Sequence, residues 1–432
     1  MLTRTAEDLL DFLETTLRRN PELVKSAFRL HGEGKIPPNT YLIDIDAVSK
    51  NARAIATAAK KAGIKNYFMT KQFGRNPLVA RAIVNSGIST SVAIDIQEAK
   101  SLHRNEIKVD HVGHLVQIPT HEIDFIVSQV RPEIITVYSI EKAREIDCAA
   151  EKLGVVQKIM LRPIGPSDSF GNTQEGGTPL HELVHMVNDL APLKHLQLSG
   201  LTSFPSFRYD LKLRTIRKTT NYETVKEAQK IIEKESSIKI EQINAPGSNC
   251  ASSMSILAQE GATHGEPGHA FTGTTPWHAF EDLPEVPAWV YVTEVSHVVG
   301  NRAYSFSGGL PQSGYHGFFT TLYHQNFLLA LVGHEANYTQ TLAEPPSLVN
   351  DVQAWPDFYT TLRRDSPINT GDTVVLGFRP QVYTTRSRVA VVRGVETGRD
   401  EVLGIFDRNG NLLADDDGPA THAELKDLMR KL

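Results

Sequence analysis

A lysine stands where a buried strand ends. Tyr67–Met69 is an apolar run that leads through Thr70 into Lys71. Gly74 and Pro77 then mark a turn, and a helical pattern opens over Leu78–Ile83. In a barrel of alternating strands and helices, the carboxyl ends of the strands carry the chemistry. A lysine placed there and partly stripped of water can act as an amine nucleophile or as a base. Locally, a lysine beginning a surface loop has the same pattern, so the neighbouring stretches decide between the two.

Two turns are rich in backbone donors. Asn244–Ser252 follows a strand and precedes a helical run at Met254–Gln259. Its Gly247 and Ser248 offer amides and a hydroxyl to an anion such as a phosphate. Gly and Ser are also ordinary loop and cap residues. Pro267 and Gly268 force a second turn, whose Gly268 and His269 amides suit the same anion. Glu266 precedes that turn, at the end of what reads as the last barrel strand. A solvated loop acid is the plain alternative for Glu266. Lys71 and both turns falling at strand carboxyl ends favours a shared cavity.

The elements that must position these residues alternate. Strands are expected at Tyr41–Asp46, Tyr67–Met69, Thr90–Ile94, Asp110–Val116, Ile134–Tyr138, Lys158–Leu161, Leu196–Leu201 and Lys239–Asn244. Helices lie between them, for example at Ile140–Leu153 and Tyr222–Lys234. This texture predicts parallel pairing and a (β/α)8 TIM-type barrel over residues 40–275. Residues 1–39 form a prefix, helical over 5–30 and broken near Asn20 and Pro21. Residues 276–432 read as a β-rich C-terminal domain, with strands at Trp289–Val295, Phe327–Val332, Thr373–Leu376 and Arg388–Val392 among Gly and Pro turns.

Composition narrows the function classes. The chain has 432 residues and a formal net charge of -5. With no basic block, nucleic acid is not an expected partner. Cys148 and Cys250 match no metal-ligand spacing and make no disulfide framework. The acids near the N-terminus do not suit a signal peptide, and no stretch is apolar and long enough to span a bilayer. The expectation is a cytoplasmic protein with no membrane partner and no metal.

Tyr41–Asp46 followed by Asn51, the Lys71 stretch, Val92–Glu98 and Glu266–Gly268 together resemble the barrel of alanine-racemase-like (fold type III) enzymes that use pyridoxal 5'-phosphate. The two-domain length most resembles the YhfX-like branch. The resemblance implies that Lys71 forms the internal aldimine. It implies phosphate contacts from Gly247, Ser248, Gly268 and His269. Glu266 looks like the partner of the pyridine nitrogen, where a nearby carboxylate favours the protonated ring. Alanine racemases carry an arginine at this position, and decarboxylase cousins carry the glutamate. Phe204, in Gly200–Phe204, takes the place of a ring-stacking histidine; a phenyl face can stack but cannot donate a hydrogen bond. Barrel core is the alternative for Phe204.

The reaction class rests on the β-rich domain. The decarboxylase cousins place a cysteine before an aspartate there, whereas both cysteines of this chain lie in the barrel segment. The zinc-dependent cousins use a histidine and a second ligand two residues on. His334 is followed at that distance by Ala336. Racemases add a tyrosine from the partner subunit. In Ser305–Gly309 its place is held by Phe306, which leaves Tyr304, two residues back, as the first candidate and Tyr315 as the second. A structural tyrosine is the alternative for both. Tyr383 resembles a late tyrosine that touches the phosphate. The resemblance thus implies an amino-acid racemase working by α-proton abstraction from an external aldimine, acting as a homodimer. A lyase or decarboxylase with the same cofactor, and a non-catalytic binding protein, are the alternatives.

Overall fold

Eight short runs, buried over most of their length, close a parallel barrel: β1 (Lys65–Met69), β2 (Thr90–Ala93), β3 (Val109–Val112), β4 (Ile134–Val137), β5 (Gln157–Leu161), β6 (Leu196–Thr202), β7 (Gln242–Asn244) and β8 (His264–Gly265). The computed structural model describes residues 12–171, 173–310, 328–344, 357–414 and 418–432. They divide into two units. The barrel unit holds Ala52–Thr70 and Val84–Ala270. The other holds the described residues up to Asn51, Lys71–Ile83, and those from Phe271 onward.

Barrel strands pair in sequence order, and β8 closes on β1 through His264 opposite Lys65 and Gly265 opposite Asn66. Local chemistry sets the helix boundaries. Asp95 accepts a hydrogen bond from the Glu98 amide at 2.7 Å to cap Ile96–Arg104. Ser139 caps Ile140–Leu153, which ends at Gly154 in the left-handed conformation glycine tolerates best.

The second unit is built on a nine-stranded sheet. Its order is Arg302–Phe306, Tyr359–Arg363, Asn337–Glu344, Leu328–His334, Thr373–Leu376, Trp289–Val299, Thr40–Asp44, Arg388–Arg393 and Glu401–Phe406. The Phe327 end of one expected strand lies outside the described residues.

Thr40–Asp44 corrects the expected start of the barrel. It pairs antiparallel with Trp289–Val299, Tyr41 opposite Tyr291, and parallel with Arg388–Arg393, Leu42 opposite Ala390. Tyr41 is held by the rings of Trp289, Tyr291 and Phe378, at centroid distances of 4.8, 5.4 and 6.0 Å. A short buried run has no period that tells one sheet from another. The eighth barrel strand is instead the two-residue run His264–Gly265, which ends directly before Glu266.

Among the described residues the prefix forms two helices, Phe12–Arg19 and Pro21–Gly32, with the break at Asn20; the start of the expected helical stretch, residues 5–11, lies outside the described residues. Leu13, Leu23, Val24, Ala27 and Phe28 share one core with Leu42, Val290, Val292, Leu331 and Val375 of the sheet. Phe28 stacks on Tyr338 at 5.0 Å. These helices cover one sheet face, which would otherwise expose a large apolar surface. Among the described residues, no helix is long and apolar enough to cross a membrane.

Candidate functional site

Glu266 leaves β8 directly into the barrel interior, and its side chain has no solvent exposure. A carboxylate buried so deeply survives only with donors around it. Its Oε1 accepts from His111 Nδ1 at 2.7 Å and from Asn244 Nδ2 at 2.9 Å. His111 lies in β3 and Asn244 ends β7, so barrel closure brings them to β8. His114 Nε2 stands 3.5 Å from Oε2. Burial alone pushes the carboxyl up; His114 and His111, with the hydrogen bonds from His111 and Asn244, outweigh it and hold Glu266 well below the ordinary carboxylate range. Among the described residues, Oε2 accepts no hydrogen bond and faces only the His114 ring. The result is an anion with one oxygen satisfied twice and the other left open.

A polar chain behind Asn244 fixes the direction of its amide. Tyr67 donates to Glu133 Oε2 at 3.1 Å and accepts from Gln242 Nε2 at 3.3 Å. Gln242 Nε2 also donates to Asn244 Oδ1 at 2.6 Å, which turns Asn244 Nδ2 toward Glu266.

The two turns expected to hold an anion are tied together. Asn249 Oδ1 accepts from the Glu266 amide at 2.6 Å, and its Nδ2 donates to the Ala245 and Gly247 carbonyls, both at 3.1 Å. Gly247 has φ +121°, and a Cβ there would stand 2.5 Å from the Phe207 carbonyl oxygen. Ser248 follows at φ +51°. Gly268 and His269 come directly after Pro267, with His269 buried. Gly247→Ala is expected to strain the turn by about 1–3 kcal/mol. It should lower the melting temperature and weaken cofactor binding in a titration; unchanged values for both would remove the turn from the site.

Phe204 is half-buried, its ring edge-on to His114 with centroids 6.1 Å apart. Lys71 and Tyr383 meet in the other unit. Lys71 opens a one-turn helix, Lys71–Phe73, and its Nζ lies 5.8 Å from the Tyr383 ring centre. Gly74 makes this approach possible: a Cβ on it would fall 2.8 Å from Val382, next to Tyr383. Tyr304 has a different neighbourhood. It stacks on His297, with centroids 4.7 Å apart, and Tyr359 stands edge-on at 6.4 Å. Tyr304 and Phe306 share one strand, two residues apart, so they point to the same side. Tyr315 lies outside the described residues. His334 is exposed and sits 3.5 Å from Asp372.

Sequence reasoning missed four residues. His111, His114 and Asn249 have ordinary polar surroundings in the sequence, and only their strand-end positions hint at the cavity. Arg162 had a clearer signal, an arginine directly after a buried strand. It is fully buried, donates from Nη1 to Tyr138 Oη at 2.7 Å, and packs against the Tyr138 and Phe170 rings. Its Nε and Nη2 meet no acceptor among the described residues. A buried cation with two open donors suits an anionic ligand oxygen.

His111, His114 and Glu266 each offer a ligand atom within 4.8 Å of the others, close enough to hold one cation. Hydrogen bonds occupy the decisive nitrogens, however. His111 Nδ1 faces Glu266 and Nε2 faces Thr136 Oγ1, each at 2.7 Å. With Nδ1 donating to the carboxylate and Nε2 bonded to the hydroxyl, His111 has no lone pair left for a metal. The open carboxylate oxygen, the Gly247 turn and Arg162 fit a ring that carries a basic nitrogen and anionic substituents.

Comparison with known proteins agrees with this geometry. The family description "Alanine racemase, N-terminal domain" matches residues 43–276, and "YhfX-like, C-terminal domain" matches residues 290–402. The uncharacterized protein YhfX of Escherichia coli (strain K12) is 36% identical over 93% of this chain and 99% of its own. Among solved structures, D-threonine aldolase from Filomicrobium marinum is similar, with TM-score 0.64, 15% identity, and coverage of 86% of this chain and 94% of that one. Alanine racemase of Clostridium difficile 630 in complex with cycloserine is similar with TM-score 0.57, 17% identity, and coverage of 86% and 98%.

Proposed function

Because the chain belongs to the alanine racemase N-terminal-domain family, in its YhfX-like branch, and its cofactor is pyridoxal 5'-phosphate, we propose that it is an amino-acid racemase that works by removing the α-proton of its substrate. The observation that carries this reading is Glu266: a fully buried carboxylate, kept anionic, with Oε2 open. Bound cofactor supplies an electron sink for the carbon that loses the proton. An anion beside the ring nitrogen favours the protonated ring and so deepens that sink.

The chain's own residues take the remaining roles. Lys71 would hold the cofactor through its amine and would hold or return the proton on one face of the substrate. Tyr304 of a partner subunit serves the other face. Gly247, Ser248, Gly268, His269 and Tyr383 hold the phosphate, and Phe204 lies on the ring. Arg162 takes an anionic oxygen. The assembly in this reading is a two-fold homodimer in which each β-rich unit completes the partner's site. A light-scattering mass of one chain at micromolar concentration would contradict it. Cys148 and Cys250, which form no disulfide, suit a cytoplasmic location, which cell fractionation would check.

Glu266 also favours a second reading, a lyase or decarboxylase, because a protonated ring stabilises the carbanion left by any broken bond at the α-carbon. One experiment separates these. The holo protein is incubated in deuterium oxide with L- and D-amino acids, and the products are resolved by enantiomer and by NMR. A racemase exchanges the α-proton and inverts the centre. A lyase consumes the substrate. Absence of both with every amino acid would leave a binding protein without turnover.

A further inference from the structure

His111 spans the barrel from Glu266 to Thr136. A carboxylate can only accept, so His111 Nδ1 donates to Glu266 Oε1 at 2.7 Å. The other nitrogen, Nε2, bonds Thr136 Oγ1 at 2.7 Å. His111 and Thr136 are both buried, and Thr136 lies on β4, beside the β3 strand that carries His111. The imidazole is therefore pinned at both ends, which fixes its tautomer and its plane. Asn244 supplies the second donor to the same oxygen, at 2.9 Å. Oε1 is hydrogen-bonded from two sides, while Oε2 stands 3.5 Å from His114 Nε2 without a hydrogen bond and is the atom left for a ligand.

We propose that His111 is a positioning residue: by holding Oε1 it joins His114 and Asn244 in keeping Glu266 ionised and aims Oε2 at the ring nitrogen of pyridoxal phosphate, so that the shared proton stays on the ring. This rests on the reading of Glu266 as the ring's partner. The carboxylate and the ring nitrogen compete for one proton. Inside a protein interior, an anion deprived of a charge-assisted donor recovers stability by taking up a proton. With His111 absent, Asn244 alone faces Oε1. The proton then passes from the ring nitrogen to Oε2, leaving a neutral acid hydrogen-bonded to a neutral pyridine. No other group is consumed or released.

The test reads the proton directly. The holo protein is loaded with pyridoxal phosphate carrying 15N in the ring, and the nitrogen resonance is compared with the pyridine and pyridinium positions. Wild type is expected at the pyridinium position. His111→Leu, which keeps bulk and removes the donor, is expected to move the resonance toward neutral pyridine. His111→Asn keeps an N–H near the place of Nδ1 and is expected to stay at the wild-type position. That rescue is not expected of a residue that merely fills space. A wild-type spectrum already at neutral pyridine would overturn the Glu266 reading itself. A pyridinium signal unchanged in folded, loaded His111→Leu would overturn the role of His111 and leave Glu266 standing. If His111→Leu does not fold, Thr136→Val frees Nε2 and the tautomer, and is expected to move the resonance the same way by less; no movement there overturns the proposal.

Discussion

Borohydride reduction of the loaded protein, followed by peptide mass analysis, is expected to place the pyridoxyl group on Lys71. Replacing Lys71 by alanine is expected to slow α-proton exchange by roughly 10²–10⁴-fold, the usual effect of losing a positioned acid–base group. Lys71 comes one residue after Thr70, which follows the last residue of β1. Thr70 is anchored by its hydroxyl to Glu98, so the end of β1 cannot wander. The short helix Lys71–Phe73 then turns the amine onto the face of Tyr383. An aromatic face beside an amine attracts its cation moderately. Added primary amines should restore part of the exchange in Lys71→Ala, because a small amine can enter where the side chain was. A label on any other lysine would end this assignment.

The second large effect is expected at Glu266. Glu266→Gln keeps the shape of the side chain and removes its charge. The variant should still bind cofactor, since Lys71 and the Gly247 and Gly268 turns proposed to hold it are untouched. The rate of α-proton exchange should fall. A charge-assisted hydrogen bond contributes on the order of 1.5–3 kcal/mol, and each ~1.36 kcal/mol is a tenfold factor in rate. Deuterium wash-in at the α-carbon should therefore slow by roughly 10- to 100-fold. Exchange at the full wild-type rate would show that Glu266 does not hold the ring nitrogen. The amide is also placed badly for the native network. Its NH2 group can turn toward the donors His111 Nδ1 and Asn244 Nδ2 only by opposing donor to donor. It must instead present its carbonyl to them and its NH2 to the ring, a donor that favours the neutral pyridine.

The sequence alone determined the residue types and their local geometry. Lys71 after an apolar strand, the Gly247–Ser248 turn and Glu266 before Pro267 are all readable because strand ends and tight turns are written in adjacent residues. The break at Asn20 was readable for the same reason, as proline ends one helix and starts another. Tertiary structure decided partnership. His111 and Glu266 are 155 residues apart, and nothing near either one names the other. Barrel closure sets that contact, through a β8 strand of two residues that carries no periodic signal. The same limit applies to Thr40–Asp44, whose place between Trp289–Val299 and Arg388–Arg393 depends on rings and hydrogen bonds far along the chain. Chain-local chemistry fixes conformation within a few residues, whereas the state of a buried charge depends on every group that folding brings within reach, which is why the ionisation of Glu266 could be read only from the closed barrel.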